Sequence, residues 1–150
     1  MTLKLKDIPD HHDAELVMRL YELRRDPLMR EARSALTREY WPTTLDEALA
    51  LGSASHPLNA AWRQVTSYWE MAYGMVKHGI LHGDYMIESN GEGFFLFARM
   101  SPFIAEMRLK SSPRLMHNTE WMTTHSEFCR ETFARFEKGV AATLAARAKK

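Results

Sequence analysis

Leu58, Trp62, Val65, Trp69, Ala72 and Val76 follow one another in steps of four, three, four, three and four residues. That spacing gathers apolar side chains on one side of an α-helix and scatters them over both faces of a strand. Ala61, Tyr68 and Met75 widen the apolar side. Pro57 sits near the first helical position, and Gly79 fits the position just past the helix end. Lys77 and His78 precede that glycine, where the helix dipole favours positive charge.

The same periodicity runs through most of the chain. Leu16, Val17, Leu20 and Leu23 predict one apolar face of a first helix, with Glu15 and Arg19 as a favourable i,i+4 pair. Asp26-Pro27 predicts a stop and an immediate restart, Asp26 as N-cap and Pro27 at the first position. Leu28, Met29, Ala32, Ala35 and Leu36 then share one side until Pro42 ends the helix. Thr44 and Glu47 have capping-box spacing and open a short helix that ends at Gly52. Asp84 predicts the cap of another short helix through Tyr85, Met86 and Ile87, closed at Asn90-Gly91. Phe94 to Phe97 has the composition of a buried strand, but no second strand candidate exists to pair with it. The apolar pattern continues at helical steps through Ala98, Met100, Phe103, Ile104 and Met107, so helix is the expectation, with a kink or restart at Pro102. From about Arg114 to Lys149 the pattern is too long for one helix of a small domain, and Thr123-Thr124 is the expected break. The predicted fold is all-α, a compact bundle of about six to eight helices joined by short loops, in a single domain spanning residues 1–150.

Composition narrows the function classes. The chain has 150 residues, 20 Lys+Arg against 19 Asp+Glu, and one cysteine. One cysteine excludes an internal disulfide framework and any cysteine-based zinc finger. Near-neutral charge argues against nucleic-acid binding through bulk electrostatics. Arg19, Arg24, Arg25, Arg30, Arg33 and Arg38 cluster on the first two helices, but Glu22, Asp26, Glu31 and Glu39 interleave with them. No nucleic acid is expected as partner. No apolar core of a signal peptide follows the N-terminal lysines, and Arg99, Pro102 and Glu106 interrupt the longest apolar cluster. The expected location is the cytoplasm, without a membrane span.

Four stretches carry a resemblance: Leu20 to Pro27 together with Arg33, Trp62 to Glu70, Val76 to Leu81, and Phe103 to Arg108. Together they resemble an uncharacterised family of bacterial all-α proteins of unknown function. In that family a helix bearing a Tyr-aromatic-Glu element leads into a Gly-plus-aliphatic turn. The resemblance implies a bacterial helical domain, cytosolic or membrane-associated. Some relatives carry an N-terminal membrane segment, and none is expected here. It implies no catalytic residues.

The residues themselves offer few sites. The seven histidines are His11, His12, His56, His78, His82, His117 and His125. None belongs to a Glu-x-x-His or His-Glu-x-x-His pair, the spacings that place metal ligands on one helix face. His11-His12-Asp13 reads as a solvated helix start. His78, His82 and Asp84 flank a glycine turn and read as helix-end charge and loop polars. Cys129 reads as inert packing. No Gly-x-Ser-x-Gly or Cys-His pairing selects a nucleophile. Arg63, Glu70 and Lys77 recur every seven residues on a stripe away from the tryptophan seam. Covered by another helix, Arg63 and Glu70 would become a buried polar pair reaching for Arg108 or Glu120, since buried charges persist only when paired. Glu70 is expected to be substantially buried against an arginine of another helix. Arg63, Tyr68, Trp69, Glu70, Arg108 and Glu120 are the candidate ligand or polar-network residues; no catalytic residue, metal or cofactor is assigned.

Met71, Met75, Met86, Met100, Met107, Met116 and Met122 fall in or beside apolar stripes. Core packing is the plain reading, and an adaptable face for a partner or ligand is the other. The favoured function is a non-enzymatic helical interaction domain that self-associates, as a homodimer, through an apolar Trp/Met-lined face, with an unknown protein partner as a further option. The alternative is a metal- or small-ligand-binding helical enzyme or sensor. Its cleft would bring together several of Glu70, His78, His82, Glu120 and His125.

Overall fold

A computed structural model describes residues 5–150. Residues 1–4, which enter the reading of the N-terminal leader, lie outside the described residues. The fold is all-α, and no strand occurs among the described residues. In chain order the helices are α1 (His11–Arg25), α2 (Pro27–Glu39), α3 (Leu45–Ala50), α4 (Asn59–Lys77), α5 (Gly83–Ser89), α6 (Glu92–Met100), α7 (Ile104–Lys110), α8 (His117–Thr123) and α9 (Glu127–Ala148). A 3-10 turn, Ser101–Phe103, joins α6 to α7. Among the described residues no helix is long and apolar enough to cross a membrane.

Most of the punctuation works as the residues predict. Asp10 and Asp13 form a reciprocal capping box at the start of α1. The Asp26 carboxylate accepts from the Leu28 N–H at 3.0 Å, with Pro27 opening α2. Thr44 caps α3 by accepting from the Glu47 N–H at 3.2 Å. Glu47 reaches back one residue further than a capping box, to the Thr43 N–H at 2.7 Å. Gly79 has φ 73°, the left-handed conformation that ends α4 without a Cβ penalty. Phe94 to Phe97 is helical, Pro102 lies in the 3-10 turn that restarts the chain as α7, and the break between α8 and α9 falls at Thr124 to Ser126.

One cap differs from expectation. Asp84 does not start α5; the His82 ring does, its Nδ1 accepting from the Tyr85 N–H at 3.1 Å. Asp84 instead accepts from the Ser126 hydroxyl at 2.5 Å, and Ser126 in turn caps α9 through the Cys129 N–H. A side chain in the first turn was free to serve a helix far away in sequence, and sequence spacing carries no record of that.

The core is centred on α4, which packs against α2 on one side and α8 on another, while α6 packs along α9. Trp62, Val65, Trp69, Ala72 and Val76 of the seam are all buried. From Trp69 a chain of ring contacts crosses the molecule: Tyr73 stacks on it at 5.4 Å, Phe94 follows at 5.6 Å and Phe133 of α9 at 5.9 Å. The periodicity misplaces two leucines. Leu23 and Leu28, expected on the apolar faces of α1 and α2, are 45 % and 70 % exposed. Met71 of α4 is 50 % exposed and lines one groove with Leu23. Six of the methionines (Met29, Met86, Met100, Met107, Met116 and Met122) are core.

Candidate functional site

The Tyr68-Trp69-Glu70 element sits mid-way along α4, and its three side chains leave the helix in three directions. Tyr68 donates its hydroxyl to the Leu20 carbonyl of α1 at 2.7 Å. Trp69 fills the core. Glu70 points at the start of α8. One carboxylate oxygen accepts from the Thr119 N–H at 2.8 Å and the Thr119 hydroxyl at 2.7 Å; the other accepts from the Asn118 N–H at 3.0 Å. The Asn118 side chain closes the contact by donating to the Glu70 backbone carbonyl at 3.0 Å. One turn further on, the buried Tyr73 hydroxyl donates to the Asn90 carbonyl at 2.8 Å, and its oxygen faces the Gly93 and Phe94 N–H groups at the start of α6. Burial pushes the Tyr73 phenol well above its ordinary range.

Glu70 is therefore half-buried and fully engaged, but its partner is a helix end and not an arginine. The reason lies in α8. Its N-cap position is Met116, a buried apolar residue at φ 54°, which brings no side-chain acceptor to the first turn. The orphan N–H groups of that turn need an acceptor, and a carboxylate at a helix N-terminus satisfies them and complements the dipole. Gly74 lets Asn118 come close: a Cβ at Gly74 would lie 3.0 Å from the Asn118 amide nitrogen.

The remaining predicted site residues separate. Arg108 pairs with Glu120 at 2.7 Å and donates from Nε to the Leu115 carbonyl at 2.9 Å, bracing the α7–α8 loop. Neither reaches Glu70 or Arg63. Arg63 is exposed on the outer side of α4. The seven-residue stripe thus splits into a solvated arginine, a helix-capping glutamate and a half-buried lysine, Lys77.

Three polar groups that carry the fold escaped the sequence reading as site residues. Arg99 is 4 % exposed and has no carboxylate partner among the described residues. Its Nη1 donates to the Leu36 and Tyr40 carbonyls at 2.7 Å each, closing the C-terminal end of α2, and the guanidinium lies 4.5 Å from the Phe95 ring centre and 5.1 Å from that of Trp41. Desolvation lowers its pKa to about 10, so it remains charged at neutral pH. Asp13, fully buried, accepts from the His82 N–H and pairs with Lys6, both at 2.8 Å. Burial opposes its ionisation, but Lys6 and the backbone N–H groups of Asp10 and His82 hold the carboxyl below its ordinary value. Arg33 clamps Glu92 at the start of α6, Nε lying 2.8 and 2.9 Å from the two carboxylate oxygens. The available signal for Arg99 was a lone cation inside the apolar run from Phe94 to Met100.

The histidines do not converge. His11, His12, His78 and His117 are exposed, His56 accepts from the Leu58 N–H at 3.0 Å, and His82 caps α5. His125 packs against Trp121 in a tilted arrangement with ring centres 4.9 Å apart and presses on Gly83, where a Cβ would come within 2.5 Å of the imidazole. Among the described residues no group of three or more His, Cys, Asp or Glu side chains is placed to hold a metal ion. Cys129 is buried, and burial raises its pKa, away from thiolate reactivity.

Two surface grooves border this polar framework. One of about 440 Å³ runs between α1, α2 and α4, with Leu23, Met29, Tyr68 and Met71 in its walls. The other, of about 590 Å³, lies between the α5–α6 turn and α9, with Phe95, Phe128 and Phe136 as its aromatic lining. Trp62 and Trp69 line neither.

Residues 9–126 match the model of DUF4760, a domain of unknown function, and the chain belongs to that family. The match covers α1 to α8 and stops at the residue that caps α9. No curated protein and no solved structure matches the chain.

Proposed function

We propose that this DUF4760 protein is a non-enzymatic helical interaction domain, a single domain of a bacterial cytoplasm that forms a homodimer through the α1–α2–α4 face. The observation that carries the reading is the exposure of Leu23, Leu28 and Met71, two at the groove floored by Met29 and Tyr68 and Leu28 beside it at the start of α2. Exposed apolar side chains clustered on one face mark an association surface, and a flexible methionine among them adapts to a partner. Helical faces of this kind close most simply as two-fold pairs. Trp62 and Trp69 belong to the core behind this face, and Met71 to its surface.

The engagement of the internal ionisable groups supports the non-enzymatic part. Asp13, Glu70 and Arg99 each hold backbone groups at a helix end, while Arg33 with Glu92 and Arg108 with Glu120 tie helices together. Catalytic acids and bases need a free face toward a substrate. Tyr68, Trp69, Glu70, Arg108 and Glu120 act in this proposal as a fold-holding network, and Arg63 as a solvated charge.

Sedimentation equilibrium over a wide protein concentration range tests the reading. A monomer–dimer equilibrium that Leu23→Glu and Met71→Glu both shift to monomer supports it, because both side chains are exposed and their replacement leaves the core intact. A monomer at every concentration, or a dimer indifferent to both changes, overturns it. One observation favours a small-ligand function alongside it, the aromatic groove beneath α9.

A further inference from the structure

The groove between the α5–α6 turn and α9 lies on a different face from the proposed dimer surface. Its volume of about 590 Å³ is within the range of small-molecule sites. Three aromatic rings, Phe95 from α6 and Phe128 and Phe136 from α9, line it, and each remains partly open to solvent. The lining is fixed from behind. Arg99 packs on Phe95, Phe136 meets Phe95 with ring centres 6.0 Å apart, and Gly91 lets the Phe136 ring approach to where a Cβ would stand at 3.1 Å.

Three charged side chains border these rings, and they are not equivalent. Glu92 is already neutralised by the Arg33 clamp. Glu88, on the α5 wall, and Arg135, on the α9 wall, make no salt bridge among the described residues. Arg135 is tied to its own wall by a hydrogen bond from Nη2 to the Thr132 hydroxyl at 3.1 Å. The groove therefore offers a carboxylate and a guanidinium, neither in a salt bridge among the described residues, beside three aromatic rings.

We infer that this groove binds a small zwitterion with an apolar body, the chemical class of a free aromatic amino acid. The ammonium group goes to Glu88, the carboxylate to Arg135 and the ring among Phe95, Phe128 and Phe136. Charge complementarity selects this class. A ligand of single charge would match one of the two exposed side chains, whereas a zwitterion matches both. A guanidinium is suited to receive a carboxylate in two parallel hydrogen bonds. The site is complete only with α9, which lies beyond the matched residues 9–126.

Calorimetric titration of the full chain with L-phenylalanine, 2-phenylethylamine and 3-phenylpropionate tests this. The two analogues lack the carboxylate and the ammonium in turn. Phenylalanine should bind, and each analogue should bind about tenfold or more weakly. Glu88→Gln and Arg135→Gln are exposed replacements that leave the core untouched, and each should weaken phenylalanine by a similar factor while keeping the melting temperature of the free protein. Absence of any heat with phenylalanine at millimolar concentration overturns the inference. So does equal binding of either analogue, or phenylalanine binding unchanged in both variants.

Discussion

Glu70 of α4 and Thr119 of α8 are 49 positions apart, yet a single carboxylate oxygen of Glu70 takes both the N–H and the hydroxyl of Thr119, at 2.8 and 2.7 Å. The contact supplies from another helix the cap that the apolar Met116 does not provide. Replacing Glu70 by Gln keeps one acceptor but removes the charge, and should lower stability by about 1–2 kcal/mol. Glu70→Ala should cost about 2–3 kcal/mol, since donors at a half-buried helix end lose their partner. Arg63→Ala, about two turns earlier on the same helix and exposed, should stay within about 0.5 kcal/mol of wild type. Urea unfolding of the three variants measures this, and an unchanged midpoint for Glu70→Ala would show the contact to be energetically silent.

Arg99 holds the end of α2 by charge-assisted hydrogen bonds to two carbonyls and by stacking. Lysine carries the same charge but neither the planar fork nor the stacking surface. Arg99→Lys should destabilise by about 2 kcal/mol and Arg99→Ala by about 3 kcal/mol or more, the latter adding a cavity among Tyr40, Trp41 and Phe95. Near-ultraviolet circular dichroism of Trp41 and Tyr40 should change in both variants before unfolding begins.

His125 predicts an acid-side loss of stability. Desolvation lowers its pKa below the ordinary imidazole value of 6.5; Asp84 partly offsets this, and His82 adds to it. The folded protein therefore accepts the proton less readily than the unfolded chain. Stability is full above 6.5 and declines as pH falls through that value toward the folded pKa. Asp13 has a folded pKa lowered from 3.8, so its contribution persists through this window and is lost only at lower pH. Thermal melts between about pH 7.5 and 5 should show the decline in wild type and a flatter profile in His125→Asn. Parallel profiles would remove His125 from the account.

Gly93 is a packing requirement. A Cβ there would stand 2.5 Å from the Tyr73 ring and hydroxyl, and Tyr73 is held between Trp69 and Phe94. Gly93→Ala should destabilise by about 1–3 kcal/mol by overpacking, despite the better helix propensity of alanine. Gly139→Ala on α9, where nothing lies within 4 Å of an added Cβ, should stabilise by about 0.5–1 kcal/mol. The opposite signs are readable from melting temperatures alone.

The parts of this fold that were legible in the sequence are those set by neighbours along the chain. The seam of Trp62, Val65, Trp69 and Val76, the Asp26-Pro27 restart and the left-handed Gly79 all follow from local spacing and backbone preference. What was not legible depends on which element covers which face. Leu23 and Leu28 obey helical periodicity but meet no covering helix. Glu70 was recognised as a charge in need of a partner, and an arginine was the expected one. Its real partners are backbone N–H groups, which every residue possesses and no residue type marks. His82 took the cap assigned to Asp84 for a related reason, since imidazole nitrogen and carboxylate oxygen accept the same hydrogen bond.

The caps that α4 lends to its neighbours bear on how the molecule opens. Helices α5, α6 and α8 have seven, nine and seven residues, too short to persist in water by themselves. Glu70 completes the first turn of α8 only while α4 is in place, and Tyr73 of α4 holds the Asn90 carbonyl just before α6. The amide protons of Asn118 and Thr119 are accordingly locked by a residue on another helix, and fraying of α8 cannot release them without detaching Glu70. In hydrogen exchange these two amides, at the very start of a two-turn helix where protection is ordinarily weakest, should exchange as slowly as the middle of α4 and report the global opening of the whole bundle.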